Sequence, residues 1–188
     1  MNMIRRYTKL ALALMCAGFW SESVLAADGL DAAVQTKVSA IAQEVQAWAN
    51  DPVVIAAVKA HNTSAQAEAS AMTQEKWKSL TILDPAVRSF SKNDTAQFLK
   101  GKKGEAVSEL FLSGAEGYKV AFLAKPSNWS HKGKAKHDVP MTGKAWQGPI
   151  EVDESTGLQQ VQVGVPVLDG GKPIGSLVAG ISLSKLAK

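Results

Sequence analysis

Residues 159–183, QQVQVGVPVLDGGKPIGSLVAGISL, decide the fold. Val161, Val163, Val165 and Val167 alternate with Gln160, Gln162 and Gly164, and a side-chain period of two is the signature of a strand with two unlike faces. Asp169-Gly170-Gly171 is a tight-turn signal. The segment after it alternates again, with Leu177, Ala179, Ile181 and Leu183 on one side and Ser176, Val178, Gly180 and Ser182 on the other. An antiparallel hairpin follows, one face apolar and the other small and polar.

Upstream, Ser108–Ser113 reads as a strand, Gly114 to Gly117 as its turn and Tyr118–Ala124 as the returning strand, with Tyr118, Val120 and Phe122 on a common face. A strand at Pro149–Asp153 brings the expected total to about five. The apolar face needs a cover. Leu30, Val34, Val38, Ile41, Val45 and Trp48 recur at spacings of three and four, which predicts one long amphipathic helix capped by Asp28 or Asp31. Asn50-Asp51-Pro52 ends it and opens a second helix whose apolar side is Val53, Val54, Ala57 and Val58. Thr63 or Ser64 is expected to start a further helix reaching Trp77, which leaves His61 at a helix end. Asp84-Pro85 and Asp94 cap two short helices, the last stopping at Gly101. The fold class is α+β, a long N-terminal helix packed on a five-stranded antiparallel sheet.

The first residues define the expected compartment. Arg5, Arg6 and Lys9 precede the apolar run Leu10–Trp20, which Ser21-Glu22-Ser23 closes before the small-residue exit Val24-Leu25-Ala26. That order reads as a cleaved secretory signal, residues 1–26, with cleavage after Ala26 or Ala27. The run is too short for a membrane anchor, which needs about 20 apolar residues. Residues 27–188 then form one domain, expected in the periplasm. Cys16, the lone cysteine, leaves with the leader, so thiol chemistry, disulfides and covalent haem are not expected. The full chain's formal charge of +4 is too small to argue for nucleic acid.

Lys125–Gly148 is the long interruption of the sheet. Lys125, Lys132, Lys134, Lys136 and Lys144 stand there with His131 and His137 against one acid, Asp138, and Trp129 and Trp146 bracket most of it. Ammonium and indole groups together suit a ligand with an anionic head and a flat or apolar body. Tyr118 and Phe122, with Trp129, His131, Lys134, His137 and Trp146, are the candidate ligand-binding residues. His131, His137 and Asp138 raise a metal site, but neighbouring lysines oppose a divalent cation, so no metal or cofactor is expected. No nucleophile elbow, phosphate-cradling loop or catalytic cysteine is present, and Asp153-Glu154 falls on a turn, so no enzymatic activity is expected.

Leu110-Phe111-Leu112, the Gly117-Tyr118-Lys119-Val120-Ala121 hairpin, Trp146-Gln147-Gly148-Pro149, the Asp153-Glu154-Ser155-Thr156-Gly157 turn, Val165-Pro166-Val167, and Lys172 to Leu177 leading into Gly180-Ile181-Ser182-Leu183 together resemble the Cache family of PAS-like extracytoplasmic sensors in its single-domain form. The resemblance implies a PAS-like sheet behind the long helix and a ligand site between the sheet and its central loops. It also implies a small organic acid, amino acid or amine as ligand, and pairing of two copies through the N-terminal helix. Most such domains feed an output module, whereas this chain stops at Lys188. The expectation is therefore a small-molecule-binding domain acting with a separate membrane-bound signalling protein. The alternative is a protein–protein adaptor with a vestigial pocket.

Overall fold

The computed structural model describes residues 29–152 and 157–186, without the side chains of 65–70. The expected leader, residues 1–26, and Asp153-Glu154 lie outside the described residues.

Helix α1 (Ala32–Ala49) begins where Asp31 accepts the Ala33 N–H at 2.8 Å, the hydrogen bond an N-terminal cap supplies to an otherwise orphaned donor. Its stripe is buried as the spacing predicts, with Val38, Val45 and Trp48 inside and Leu30, Val34 and Ile41 half-buried against them. Asp51 caps α2 (Pro52–Ala71) through the Val53 N–H, and Pro52 occupies the first turn. Val54 and Val58 are buried, while Val53 faces solvent rather than the core.

Three short helices follow: α3 (Gln74–Ser79), α4 (Pro85–Lys92) and α5 (Asp94–Lys102). Strands β1 (Val107–Gly114) and β2 (Lys119–Phe122) form the first hairpin. After the insertion, which holds α6 (Ala135–Asp138) and a 3-10 turn at Pro140–Thr142, come β3 (Trp146–Val152), β4 (Gln159–Asp169), β5 (Lys172–Ser182) and a closing turn of helix, α7 (Leu183–Leu186). The strands make one sheet in the order β2-β1-β5-β4-β3, every neighbouring pair antiparallel. This is the five-stranded, helix-backed architecture that the Cache resemblance implies.

Helices α1 and α2 cover one face. Val161, Val163, Val165 and Val167 of β4 join Leu177, Ala179 and Ile181 of β5 and Leu110 and Leu112 of β1 in the core beneath them. Burying each such side chain contributes roughly 1.5–3 kcal/mol. Gly175 marks where the packing is tightest. A Cβ there would lie 2.4 Å from the Ser113 carbonyl oxygen and 2.9 Å from Val58 Cγ1.

Several local expectations change. α2 runs straight through Thr63-Ser64, because both hydroxyls donate back to the Ala60 carbonyl instead of capping a new helix. Asn62 also ties that turn to the sheet, donating to the Ile174 carbonyl at 2.7 Å and accepting the Ala115 N–H at 2.9 Å. His61 therefore lies within α2 beside Gly114, not at a helix end. Thr73 caps α3, and Asn93 rather than Asp94 caps α5. β3 starts earlier than expected, at Trp146. A bulge between Leu112 and Ser113 breaks the alternation of β2, so Phe122 and Tyr118 pack on one side of the sheet while Val120 joins the helix-side core.

Gly175→Ala should lower stability by about 1–3 kcal/mol, since a backbone carbonyl cannot move aside as a flexible side chain can. A chemical-denaturation midpoint unchanged from the parent would contradict this packing.

Candidate functional site

The face away from α1 and α2 has the composition of a binding surface. Along it β5 presents Ser176, Val178, Gly180 and Ser182, β4 presents Gln160, Gln162 and Gly164, and β1 presents Glu109, Phe111 and Ser113, paired across the ladder in register. Small residues on the central strand leave room for larger groups from both neighbours. A Cβ on Gly180 would stand 2.5 Å from Gln160 Oε1.

The insertion lies across this face and is stitched to it. A Cβ on Gly164 would meet the Lys136 carbonyl oxygen at 2.5 Å, so insertion backbone packs directly on β4. His137 is buried, its Nδ1 2.7 Å from Ser176 Oγ and its Nε2 3.2 Å from the Ala115 carbonyl oxygen. The His131 N–H donates to the Gly117 carbonyl at 3.0 Å. Gly117 adopts a φ of +77°, and a Cβ there would stand 2.4 Å from the Lys132 amide nitrogen, so only glycine fits.

Beneath the insertion sits a buried amine. Lys119 is fully enclosed, its Nζ 2.6 Å from His131 Nδ1, 3.2 Å from the Gly117 carbonyl oxygen and 3.4 Å from Ser113 Oγ. Each of these partners is neutral. Burial, and next the charge of Lys136, hold the Lys119 amine well below its ordinary range. His131 stacks on Phe111 with ring centroids 4.5 Å apart. Its own burial, followed by the nearby Lys119 charge, pushes its pKa down to about 2. Burial likewise lowers His137. Both imidazoles are thus neutral in the folded protein at pH 7, because burial disfavours their charged form.

A cleft of about 480 Å³ opens over this arrangement. Phe111, His131 and Lys136 line one side of its chemistry, and Glu109, Glu151, Gln160 and Gln162 the other. Gln162 connects the two, its Oε1 accepting from Lys136 Nζ at 2.5 Å and its Nε2 donating to Glu109 Oε2 at 2.8 Å. Gln160 repeats the pattern, accepting from Ser108 Oγ at 3.1 Å and donating to Glu151 at 3.3 Å. The floor therefore has an electropositive and an electronegative end, joined by oriented amides.

Of the seven residues expected from sequence, His131 lines this cleft. Tyr118, Phe122 and Trp129 meet in an aromatic block with Trp77 and Phe90, with Tyr118 stacked on Trp129 at 5.6 Å and Phe122 edge-on to Trp77 at 5.9 Å. His137 anchors the insertion. Lys134 is exposed at the start of α6, and Trp146 is half-buried on β3, with its ring beneath Gly148. Glu109, Lys119, Lys136, Gln160 and Gln162 are not among those seven. The parity of β4 marks its two glutamines and the basic composition of the insertion marks Lys136, but nothing local marks Glu109 or Lys119 as cleft residues. Among the described residues no group of three or more histidines, cysteines or carboxylates could hold a metal, and no helix is long and apolar enough to cross a membrane.

No family model matches the chain, and no curated protein does. Solved structures overlap it in part. The sensor domain of the V. cholerae histidine kinase DctB shares 13% identity at a TM-score of 0.48, over 81% of this chain and 53% of that one. The ligand-binding domain of the Pseudomonas fluorescens chemoreceptor CtaA, in complex with L-leucine, shares 14% at 0.46, over 82% and 53%. The sensory domain of the Campylobacter jejuni chemoreceptor Tlp3, with isoleucine bound, shares 14% at 0.41, over 84% and 66%. The chain thus spans just over half the length of the first two. These overlaps are partial and at low identity, and the chemistry of the cleft rests on its own residues.

The buried imidazoles make stability depend on pH. A folded-state pKa far below the unfolded value of about 6.5 means that the unfolded chain alone takes up protons as pH falls. Between pH 7 and pH 5, His131 should cost the fold about 2 kcal/mol, with His137 adding in the same direction. Denaturation of His131→Gln should show a shallower loss over that interval; an identical slope would contradict a buried, neutral His131.

Proposed function

We propose that this chain is an exported, sensor-type domain of the Cache kind, which binds a small amino-acid-like metabolite in the cleft between the sheet and the insertion. One observation carries this reading: the Lys136–Gln162–Glu109 chain, which sets a cation and a carboxylate at opposite ends of one floor. A ligand with both a carboxylate and an ammonium group matches both ends, the carboxylate turned toward Lys136 and His131 and the ammonium toward Glu109 and Glu151. A simple organic anion would meet only the Lys136 end. Each charge-assisted hydrogen bond in a partly desolvated cleft contributes about 1.5–3 kcal/mol. The cleft volume falls in the range of small-molecule sites.

In this reading ligand contact falls to His131, Lys136, Glu109 and Gln162. The aromatic block of Tyr118, Phe122 and Trp129 fixes the wall behind, and His137 holds the insertion in place. The domain performs no chemistry on its ligand. The leader-like residues Arg5 to Ala26 support export to the periplasm, and the Cache resemblance supports delivery of occupancy to a membrane-bound signalling protein.

Thermal-shift screening of the L-amino acids, with matched carboxylic acids and amines, tests the proposal. At a hundredfold excess over Kd, a true ligand stabilises by about 2.7 kcal/mol, which for a domain of this size raises Tm by about 5–10 °C. Lys136→Met or Glu109→Gln should weaken that ligand tenfold or more and leave the unliganded Tm close to the parent's. A panel in which no amino acid shifts Tm, or in which monofunctional acids and amines do as well, would overturn it.

A further inference from the structure

A second cleft, of about 690 Å³, lies between α4, α5 and β2. Its polar lining is of one sign. Arg88, Lys92, Lys100, Lys103 and Lys125 all line it and no carboxylate does. Among the described residues none of the five forms an ion pair. Lys103 Nζ is held by the Val107 carbonyl oxygen at 3.0 Å, and Lys125 Nζ rests 4.6 Å from the Trp77 ring centroid. Arg88, Lys92 and Lys100 are exposed around the opening.

The rest of the lining is apolar. Val87 and Phe122 are buried at its floor, and Leu123 is half-buried beside them. Ile82 and Leu83 extend the apolar surface outward, 67% and 74% exposed and among the most exposed large hydrophobic residues of the described chain. Aliphatic side chains held this far into water, beside cations that lack counter-charges, form a surface with two unmet needs. A molecule with an anionic head and an aliphatic tail meets both. Solvated lysines alone would account for the charge but not for the apolar floor running beneath them.

We propose that this cleft is a second ligand site, separate from the amino-acid cleft, and that it takes a soluble anionic amphiphile, with one carboxylate, sulfonate or phosphate head on a medium-length apolar chain. The head meets Arg88 and Lys100, and the tail lies along Ile82, Leu83 and Leu123. The two clefts share Ile82, Ser108, Ala124 and Lys125 as a common wall, which places a ligand in either one next to the other.

Decanoate below its micellar concentration is the probe, followed by titration calorimetry. Saturable binding is expected. It should weaken at least tenfold in Arg88→Glu/Lys100→Glu, whose side chains are exposed and whose exchange leaves the core intact, and should decline with added salt. Lys136→Met, in the other cleft, should leave decanoate affinity within about twofold, so failure of one site is distinguishable from failure of the other. Decanol should bind much more weakly than decanoate. Equal binding of decanol, no effect of the double charge reversal, or association with anionic phospholipid vesicles in the absence of any decanoate binding would each overturn the proposal.

Discussion

Strand β5 is the constraint on which the rest depends. It lies between β1 and β4, and its residues from Gly175 to Ser182 are all buried. With side chains alternating, every residue must suit either the helices on one side or the insertion on the other. Leu177, Ala179 and Ile181 fill the helix side, whereas Ser176, Val178, Gly180 and Ser182 stay small on the other. A slip of one residue would exchange the two sets, driving serines into the core and leucines into the cleft. The turn at Gly170-Gly171, with φ of +57° and +83°, fixes the register against that exchange.

That smallness has a chemical consequence. Where β5 withholds side chains, long polar ones from its neighbours fold over it, and Glu109, Gln160 and Gln162 form a connected floor. The same face accepts Lys119, a buried amine whose three partners are all neutral. A core selected for stability alone would carry an apolar group there, since burying an amine whose hydrogen-bond partners are all neutral is costly. The buried Lys119 amine and His131 imidazole, with Lys136 beside them, are the kind of perturbed titratable cluster that marks functional sites, and under the proposed function Lys136 supplies the charge that a ligand's carboxylate meets.

The sheet and its long helix were legible because their signals are local and repetitive. Four alternating valines, a stripe at helical spacing, and Asp31, Asp51 and Asp84 at helix starts each declare themselves within a few residues. The errors arose where one local signal competed with another. Thr63 and Ser64 offered a cap, but their hydroxyls turn back to the preceding carbonyl, and the Asn62 bridge keeps the helix running. The β2 bulge could not be foreseen from its own residues, because it is a property of the pairing with β1. The cleft was legible only in outline. Its insertion stood out by composition, yet Gln162 and Glu109 are 53 residues apart, and Gln162 and Lys136 are 26 apart. Lys119 reads as one more charged residue in a hairpin until the bulge is seen to turn it inward.

The two-ended floor is the central claim, and it is addressed most directly by titration calorimetry with three forms of one ligand. The tightest-binding L-amino acid would be compared with its α-hydroxy acid, which lacks the ammonium group, and its carboxamide, which lacks the carboxylate. Loss of either charge should cost at least tenfold in affinity, about 1.4 kcal/mol. If the hydroxy acid or the carboxamide binds as tightly as the parent amino acid, one end of the floor plays no part in recognition and the account fails.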